Sequence, residues 1–231
     1  INATRLFSCL YGPSLNVGRV QTPTLALLVE RETAIAAFEP RPFYTVALDL
    51  GDFTAKSEKL EDRAVADAML ADCSGQAAMV AEVQAQQRAA EPPKLYDLTI
   101  LQGEANRLHG FTAQQTLDYA QSLYEKKLLT YPRTDSQHIT GDMRATVGAM
   151  VNYLQANAPY AKGVGFTPDV EHITNDAKVT DHRGLLPTME IAVADLEALP
   201  AGEAAVLNLV AARLLCATAP AHKYEAVAVS V

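Results

Sequence analysis

The chain has 231 residues, a hydrophobic fraction of 49% and a formal net charge of −8. That length holds one large domain or two to three small ones, and that apolar content is ample for a buried core. No apolar run approaches a membrane span, and no basic-then-apolar leader opens the chain. Cys9, Cys73 and Cys216 lie too far apart for a Cys-x-x-Cys zinc site, and their odd number argues against a disulfide framework, so a reducing cytoplasm is expected. The acidic balance speaks against a generic nucleic-acid binder, so any such contact must rest on a narrow, locally basic groove.

In chain order, the first segment is expected to be helical. Thr22-Pro23 makes a helix start, with threonine as cap and proline at the first helical position. Leu25, Leu28, Val29, Glu32 and Ala36 then recur at helical spacing. Arg19 and Gln21 fall just before that start, where free backbone amides attract anions, so both are candidate phosphate contacts. The plainer alternative for Arg19 is a pair with Glu30 or Glu39. Glu39-Pro-Arg-Pro42 breaks the helix. Tyr44, Val46, Leu48 and Leu50 alternate with polar or small residues, which predicts a half-buried strand, and Gly51-Asp52 predicts a tight hairpin. Asp62 is expected to cap a short helix through Leu70, and residues 77–88 to form a strand. Glu91-Pro-Pro-Lys94 marks a boundary.

A mainly helical part follows. Thr112-x-x-Gln115 is a capping box, with Ala113, Leu117, Ala120, Tyr124 and Leu128 as the apolar stripe behind it. A further helix should bury Val147, Met150, Val151 and Leu154 and end at Ala158-Pro159. Residues 160–180 are rich in loop formers. A last helix should run from near Gly202 to near Thr218, and Tyr224 to Val231 should form a strand.

The stretch Leu-Leu-Thr-Tyr-Pro-Arg-Thr-Asp-Ser, residues 128–136, carries the chemistry. A phenol titrates near 10 and is a poor nucleophile at neutral pH unless a cation favours its ionised form. Proline pushes the residue before it into extended geometry, where side chains i and i+2 share a face. Tyr131 and Arg133 are therefore expected on one face, a nucleophile beside a guanidinium whose planar fork suits phosphate.

Longer blocks around this motif resemble one family. They are Val17-Gly-Arg-Val-Gln-Thr-Pro-Thr-Leu25, the run from Leu98 to Arg107, Gly110-Phe-Thr, Thr116 to Glu125, the Tyr-Pro-Arg block, and Asp181-His-Arg-Gly-Leu-Leu-Pro-Thr188. In this order they resemble type IA DNA topoisomerases, and the Tyr-Pro-Arg form is closer to bacterial topoisomerase III than to topoisomerase I. The last block departs from the family pattern: Gly184 replaces the usual alanine, and Arg183 sits where a second histidine is common.

The resemblance implies an α+β, multi-domain fold. Residues 1–42 would be the end of the domain flanking the active site. Residues 43–93 and 219–231 would belong to a β-rich arch, and residues 94–218 to the tyrosine domain. It also implies that Tyr131 attacks a phosphodiester and stays joined to the 5′ end, conserving bond energy so that no ATP is needed. Arg133 would stabilise the charge of the transition state, His182 would hydrogen-bond the phosphate region, and Arg183 and Thr188 would join the DNA contacts.

The family's Mg²⁺ is held by a Toprim domain, through a glutamate and an Asp-x-Asp motif. No such motif follows a strand here, so no metal or other cofactor is expected in this chain. The start at Ile1 rather than Met suggests a piece of a longer protein, which by itself would bind single-stranded DNA weakly and not relax it. The remaining partners expected are the other domains of the same polypeptide. A monomer with no membrane contact, working at the nucleoid in the cytoplasm, completes this reading. Two alternatives stand beside it: a non-catalytic acidic α+β interaction module, and a DNA-binding fragment of another tyrosine strand-transferase. A tyrosine recombinase would want His-x-x-Arg, a relaxase His-x-His, and the sequence after His182 supplies neither.

Overall fold

The computed structural model describes all residues except Ile1, Pro13, Val164 and Thr180. It is mixed helix and sheet, in two compact units: Ile1–Gln84 with Ala228–Val231, and Ala85–Val227. Unit 2 is thus a continuous stretch set between two parts of unit 1.

Unit 1 holds helices α1 (Asn2–Tyr11), α2 (Gln21–Ala36) and α3 (Arg63–Cys73) and the hairpin β1 (Ala47–Asp49) to β2 (Thr54–Lys56). The hairpin is antiparallel with Asp49 opposite Thr54, and the Leu50 N–H donates to the Phe53 carbonyl at 3.0 Å, which leaves Gly51-Asp52 as its two-residue turn, as predicted. Gly51 has φ +86, a left-handed conformation that costs glycine no steric penalty, and the Asp49 carboxylate accepts from its N–H. Asp62 caps α3 by accepting from the Ala64 N–H at 2.8 Å. Two expectations fail here. First, α2 begins at Gln21 rather than after Thr22, because the Thr22 hydroxyl turns back to accept from the Gly18 N–H. Second, the stripe of α2 is not a core face: neither α1 nor α2 buries any residue, and Leu25, Leu28 and Val29 are exposed. Periodicity marks a surface that wants cover, and no described residue supplies it.

Unit 2 is built on four helices: α4 (Leu98–His109), α5 (Ala113–Glu125), α6 (Arg144–Asn157) and α7 (Ala201–Ala217). Strands β3 (Glu82–Ala90) and β4 (His222–Ser230) pair where the chain enters and leaves it. Asp97 caps α4 through the Ile100 N–H, and Gly110, left-handed, ends it. The Thr112–Gln115 capping box starts α5, with both reciprocal bonds made. Helix α6 buries the predicted Val147, Met150, Val151 and Leu154. Helix α7 is apolar nearly all round and packs against α4, α5 and α6. The core gathers Leu95, Leu101, Leu123, Leu129, Ile139, Ile173, Leu185 and Leu214, all essentially without solvent contact.

The α5 stripe is rotated from the predicted one. The helix buries Thr116, Ala120 and Leu123, while Ala113 and Tyr124 are exposed. Thr116 can go inside because its hydroxyl donates to the Thr112 carbonyl at 3.0 Å. Glu203, only 7% exposed, closes the α5–α7 contact: it accepts from Ser122 at 2.9 Å and pairs with Lys126 at 2.5 Å. A buried carboxylate needs such partners to stay charged.

Beside it, α7 comes so close to α5 that a β-carbon on Gly202 would meet the Tyr119 ring at 2.4 Å. Gly202→Ala should therefore destabilise unit 2 by about 1–3 kcal/mol through overpacking. Gly103→Ala, in open space on α4, should stabilise it by roughly 0.5–1 kcal/mol. Urea unfolding of the two variants measures both signs.

The Tyr96 side chain links α4 to α7. Its hydroxyl donates to Glu104 at 2.9 Å, and the Arg213 guanidinium lies over its ring. Burial first, then the bond to Glu104, pushes the phenol up to about 12. Hydrogen bonds from Arg107 and then from Tyr96 hold Glu104 below the usual carboxylate range. The raised phenol gives stability that is full below its ordinary pKa and lost as pH climbs towards 12. The depressed carboxyl gives stability that is full above its ordinary pKa and lost in acid. Melting temperature against pH should thus fall on both limbs, and Glu104→Gln should flatten the acid limb.

Candidate active site

The segment from Asp181 to Thr188 is stitched to the chain around Tyr131 by a run of hydrogen bonds. Leu129 bridges Pro187, and Tyr96 bridges Leu185. The Thr130 N–H donates to Leu186, the Leu186 N–H to the Thr130 hydroxyl, and the Thr188 N–H to Leu128, at 2.9–3.0 Å. The Gly184 N–H donates to His138, and the Thr134 hydroxyl to the His182 carbonyl. A β-carbon on Gly184 would sit 3.0 Å from Leu95, a tight fit that would make the leucine side chain give way slightly.

This stitching sets His182 against Tyr131, with ring centroids 4.5 Å apart. Tyr124 is the other ring contact of Tyr131 and packs edge-on against it, at 5.4 Å and 76°. The phenol stands at an open cleft of about 660 Å³, walled by Tyr124, Lys127, Thr130, Tyr131, His182, Arg183 and Thr188 among others. That volume suits a small ligand or one unit of a polymer. A second pocket, of about 490 Å³, lies among Tyr160, Phe166, Leu215 and Cys216 and contains none of the predicted site residues.

Of those residues, the structure brings Tyr131, His182, Arg183 and Thr188 together on one cleft. Arg183 also lies against the Met143 thioether. Arg133 is exposed and is not among the residues lining the cleft. The expected alternation holds in burial, with Pro132, Thr134 and Ser136 buried and Arg133 and Asp135 exposed. The strand geometry does not, because the Thr134 N–H donates to the Pro132 carbonyl at 2.9 Å. That bond closes a γ-turn centred on Arg133.

Arg19 and Gln21 lie in unit 1, exposed, before and within the first turn of α2. Arg19 forms no ion pair among the described residues. The Thr22 N–H already donates to the Gly18 carbonyl and Pro23 has none, so this helix start offers fewer free amides than expected.

Lys127 is the site residue that sequence reasoning missed. It is the only non-glycine with positive φ, at 62°, among the described residues. The Lys127 N–H bonds Tyr124, and the Leu128 N–H bonds Leu123. Together these are the two bonds of a Schellman motif, and the left-handed position in that motif is usually glycine. The Thr188 hydroxyl donates to the Lys127 carbonyl and holds the turn. The signal was legible: two lysines stand where a helix has to stop and no glycine is at hand. Among the described residues, no group of three His, Cys, Asp or Glu is placed to hold a metal ion.

A family model for DNA topoisomerases matches residues 1–231, and the chain belongs to that family. DNA topoisomerase 3 of Bacillus subtilis (strain 168) is 37% identical over 97% of the chain, which covers 32% of that protein. DNA topoisomerase 3 of Staphylococcus saprophyticus is 34% identical over the whole chain and 33% of its own length. Among solved structures, full-length topoisomerase I from Thermotoga maritima superposes with a TM-score of 0.69 over 93% of this chain and 36% of that one, at 23% identity. The fold is shared, and the resemblance drawn from the motifs is borne out. The chain spans about a third of the length of the relatives it matches.

Lys127→Gly tests the turn. It removes a strained left-handed side chain at the cleft, so the fold should gain up to about 1 kcal/mol. Thermal unfolding of the variant beside the unaltered chain would record the gain.

Proposed function

We propose that this chain is the nucleophile-bearing part of a type IA topoisomerase, and that Tyr131 attacks a phosphodiester of single-stranded DNA. The observation that carries the reading is the seat of Tyr131 at an open cleft, against His182 and beside Lys127 and Arg183. In the attack, the phenol oxygen forms a bond to phosphorus as its proton leaves. The bond from phosphorus to the 3′ oxygen breaks, and that oxygen takes a proton to become a hydroxyl. One phosphoester replaces another, so the step reverses for rejoining without an energy source.

Lys127 and Arg183 offset the charge that builds on the phosphate oxygens. The His182 ring fixes the plane of the phenol, and Thr188 secures the turn that presents Lys127. Arg133 would engage the strand from outside the cleft, and Arg19 and Gln21 would each contact its backbone without reading sequence. We assign Mg²⁺ to other parts of the parent polypeptide, since the described residues of this chain do not fit it. Those other parts would also cover the apolar surface of α1 and α2, which large exposed patches of this kind call for. No described helix is long and apolar enough to cross a membrane, which fits work at the bacterial nucleoid.

The test uses the full-length parent with Mg²⁺ and single-stranded DNA. Tyr131→Phe should abolish the covalent protein–DNA adduct while leaving binding within about twofold, since only the reacting oxygen is lost. An adduct that survives in this variant would assign the chemistry to another residue.

A further inference from the structure

A second group of basic side chains lies in unit 2, outside the Tyr131 cleft. The parallel bridge between Ile139 and Thr174, with the Ile139 N–H donating to Ile173, sets His138 beside the segment that carries His172. Lys94 donates its ammonium to the His172 carbonyl, and the His172 ring bonds the Pro92 carbonyl at 3.0 Å. The Ser136 hydroxyl reaches the carbonyls of both His138 and Lys178, at 3.4 and 3.0 Å. Three segments thus bring together two lysines and two histidines. Lys94, His138 and His172 are half-buried and Lys178 is exposed.

None of the four forms an ion pair among the described residues. The carboxylates on the neighbouring segments are engaged elsewhere. Asp97 accepts from the Ile100 N–H and the Gln137 amide, Asp169 from the His172 backbone, Asp176 from the Gly141 N–H, and Glu171 pairs with Arg144. Burial first, then Lys94, Lys178 and His172 in turn, hold His138 below the usual histidine range. The Lys94 and Lys178 ammonium groups form no ion pair among the described residues, and an anion between them would offset their repulsion. In a chain of net charge −8, such a cluster stands against the overall balance.

We propose that Lys94, His138, His172 and Lys178 form a second phosphate-binding site, which holds a backbone phosphate of the single DNA strand away from the bond that Tyr131 attacks. The proposal rests on the reading of Tyr131 as a DNA nucleophile. His138 stands seven positions after Tyr131, so the two points lie no more than about 25 Å apart, within the span of one bound strand. Lysine and histidine present point charges, so the contact holds the backbone and reads no base.

The test uses this chain, a thymidine oligonucleotide and, separately, inorganic phosphate. Anisotropy gives affinity as a function of salt, and NMR follows the His138 ring. Lys94→Gln with Lys178→Gln should weaken oligonucleotide binding by roughly three- to tenfold at low salt and lower the salt slope by about 0.7, one single-strand phosphate contact. The corresponding double arginine variant should restore both. Lys178→Gln alone, an exposed change that the fold tolerates, should give part of the loss. In the unaltered chain, the His138 titration should move up when the oligonucleotide binds.

An unchanged affinity and slope in the glutamine variants, with Arg183→Ala still weakening binding, would overturn this site and leave the Tyr131 reading in place. A His138 shift with inorganic phosphate but none with the oligonucleotide would overturn the assignment to DNA. An unaltered chain that does not bind the oligonucleotide at all would overturn both readings.

Discussion

The site depends on one set of backbone hydrogen bonds, those that fasten residues 184–188 to Tyr96, to Leu128–Thr130 and to His138. Tyr131 has no regular element of its own. It sits past the end of α5, in a stretch whose conformation the chain alone would not fix. The two bridges and the reciprocal bonds between Thr130 and Leu186 make that stretch one side of a small irregular sheet. Each such bond adds only about 1 kcal/mol net, but together they convert two loops into a single rigid edge. The rings of Tyr131 and His182 are neighbours because their backbones are. Catalytic side chains on loops need such support, since an error of about 1 Å in position costs orders of magnitude in rate.

Electrostatics at the cleft follow from the same arrangement. Lys127 is held in a left-handed turn by the end of α5 and by Thr188, so main-chain geometry sets the direction in which its side chain leaves the backbone. The neighbouring Lys126 is drawn off to Glu203. Two adjacent lysines thus serve different ends: one ties α5 to α7, and the other faces the cleft. A chain of net charge −8 thus keeps a cleft in which two cations, Lys127 and Arg183, face one carboxylate, Asp181.

Local signals in the sequence were legible where the physics is local. The capping box at Thr112, the cap at Asp62, the Gly51 turn and the buried stripe of α6 each depend on residues a few positions apart, and each took the predicted form. The nucleophile motif and its blocks led to the family. Expectations failed where distant partners decide. The stripe of α2 is exposed because cover for a helix comes from elsewhere in a protein. Helix α5 turned its face because Thr116 could satisfy its own hydroxyl, and Tyr124 was needed beside Tyr131. The turn at Arg133 hinges on one bond from Thr134 to Pro132, which no periodicity encodes. The cluster around His138 joins residues 94, 138, 172 and 178, a set that only the bridge between Ile139 and Thr174 assembles.

The pairing of β3 with β4 has a consequence for the order of events in folding. Its strands are separated in sequence by nearly all of unit 2, which is itself one unbroken stretch. Closing so long a loop from a disordered chain is entropically unfavourable. Once α4 to α7 have packed, the same closure joins two short tails leaving one folded body. The ribbon is then a late event that reports the completion of unit 2, and unit 1 gains its last segment, Ala228–Val231, only after the helices that precede it are in place.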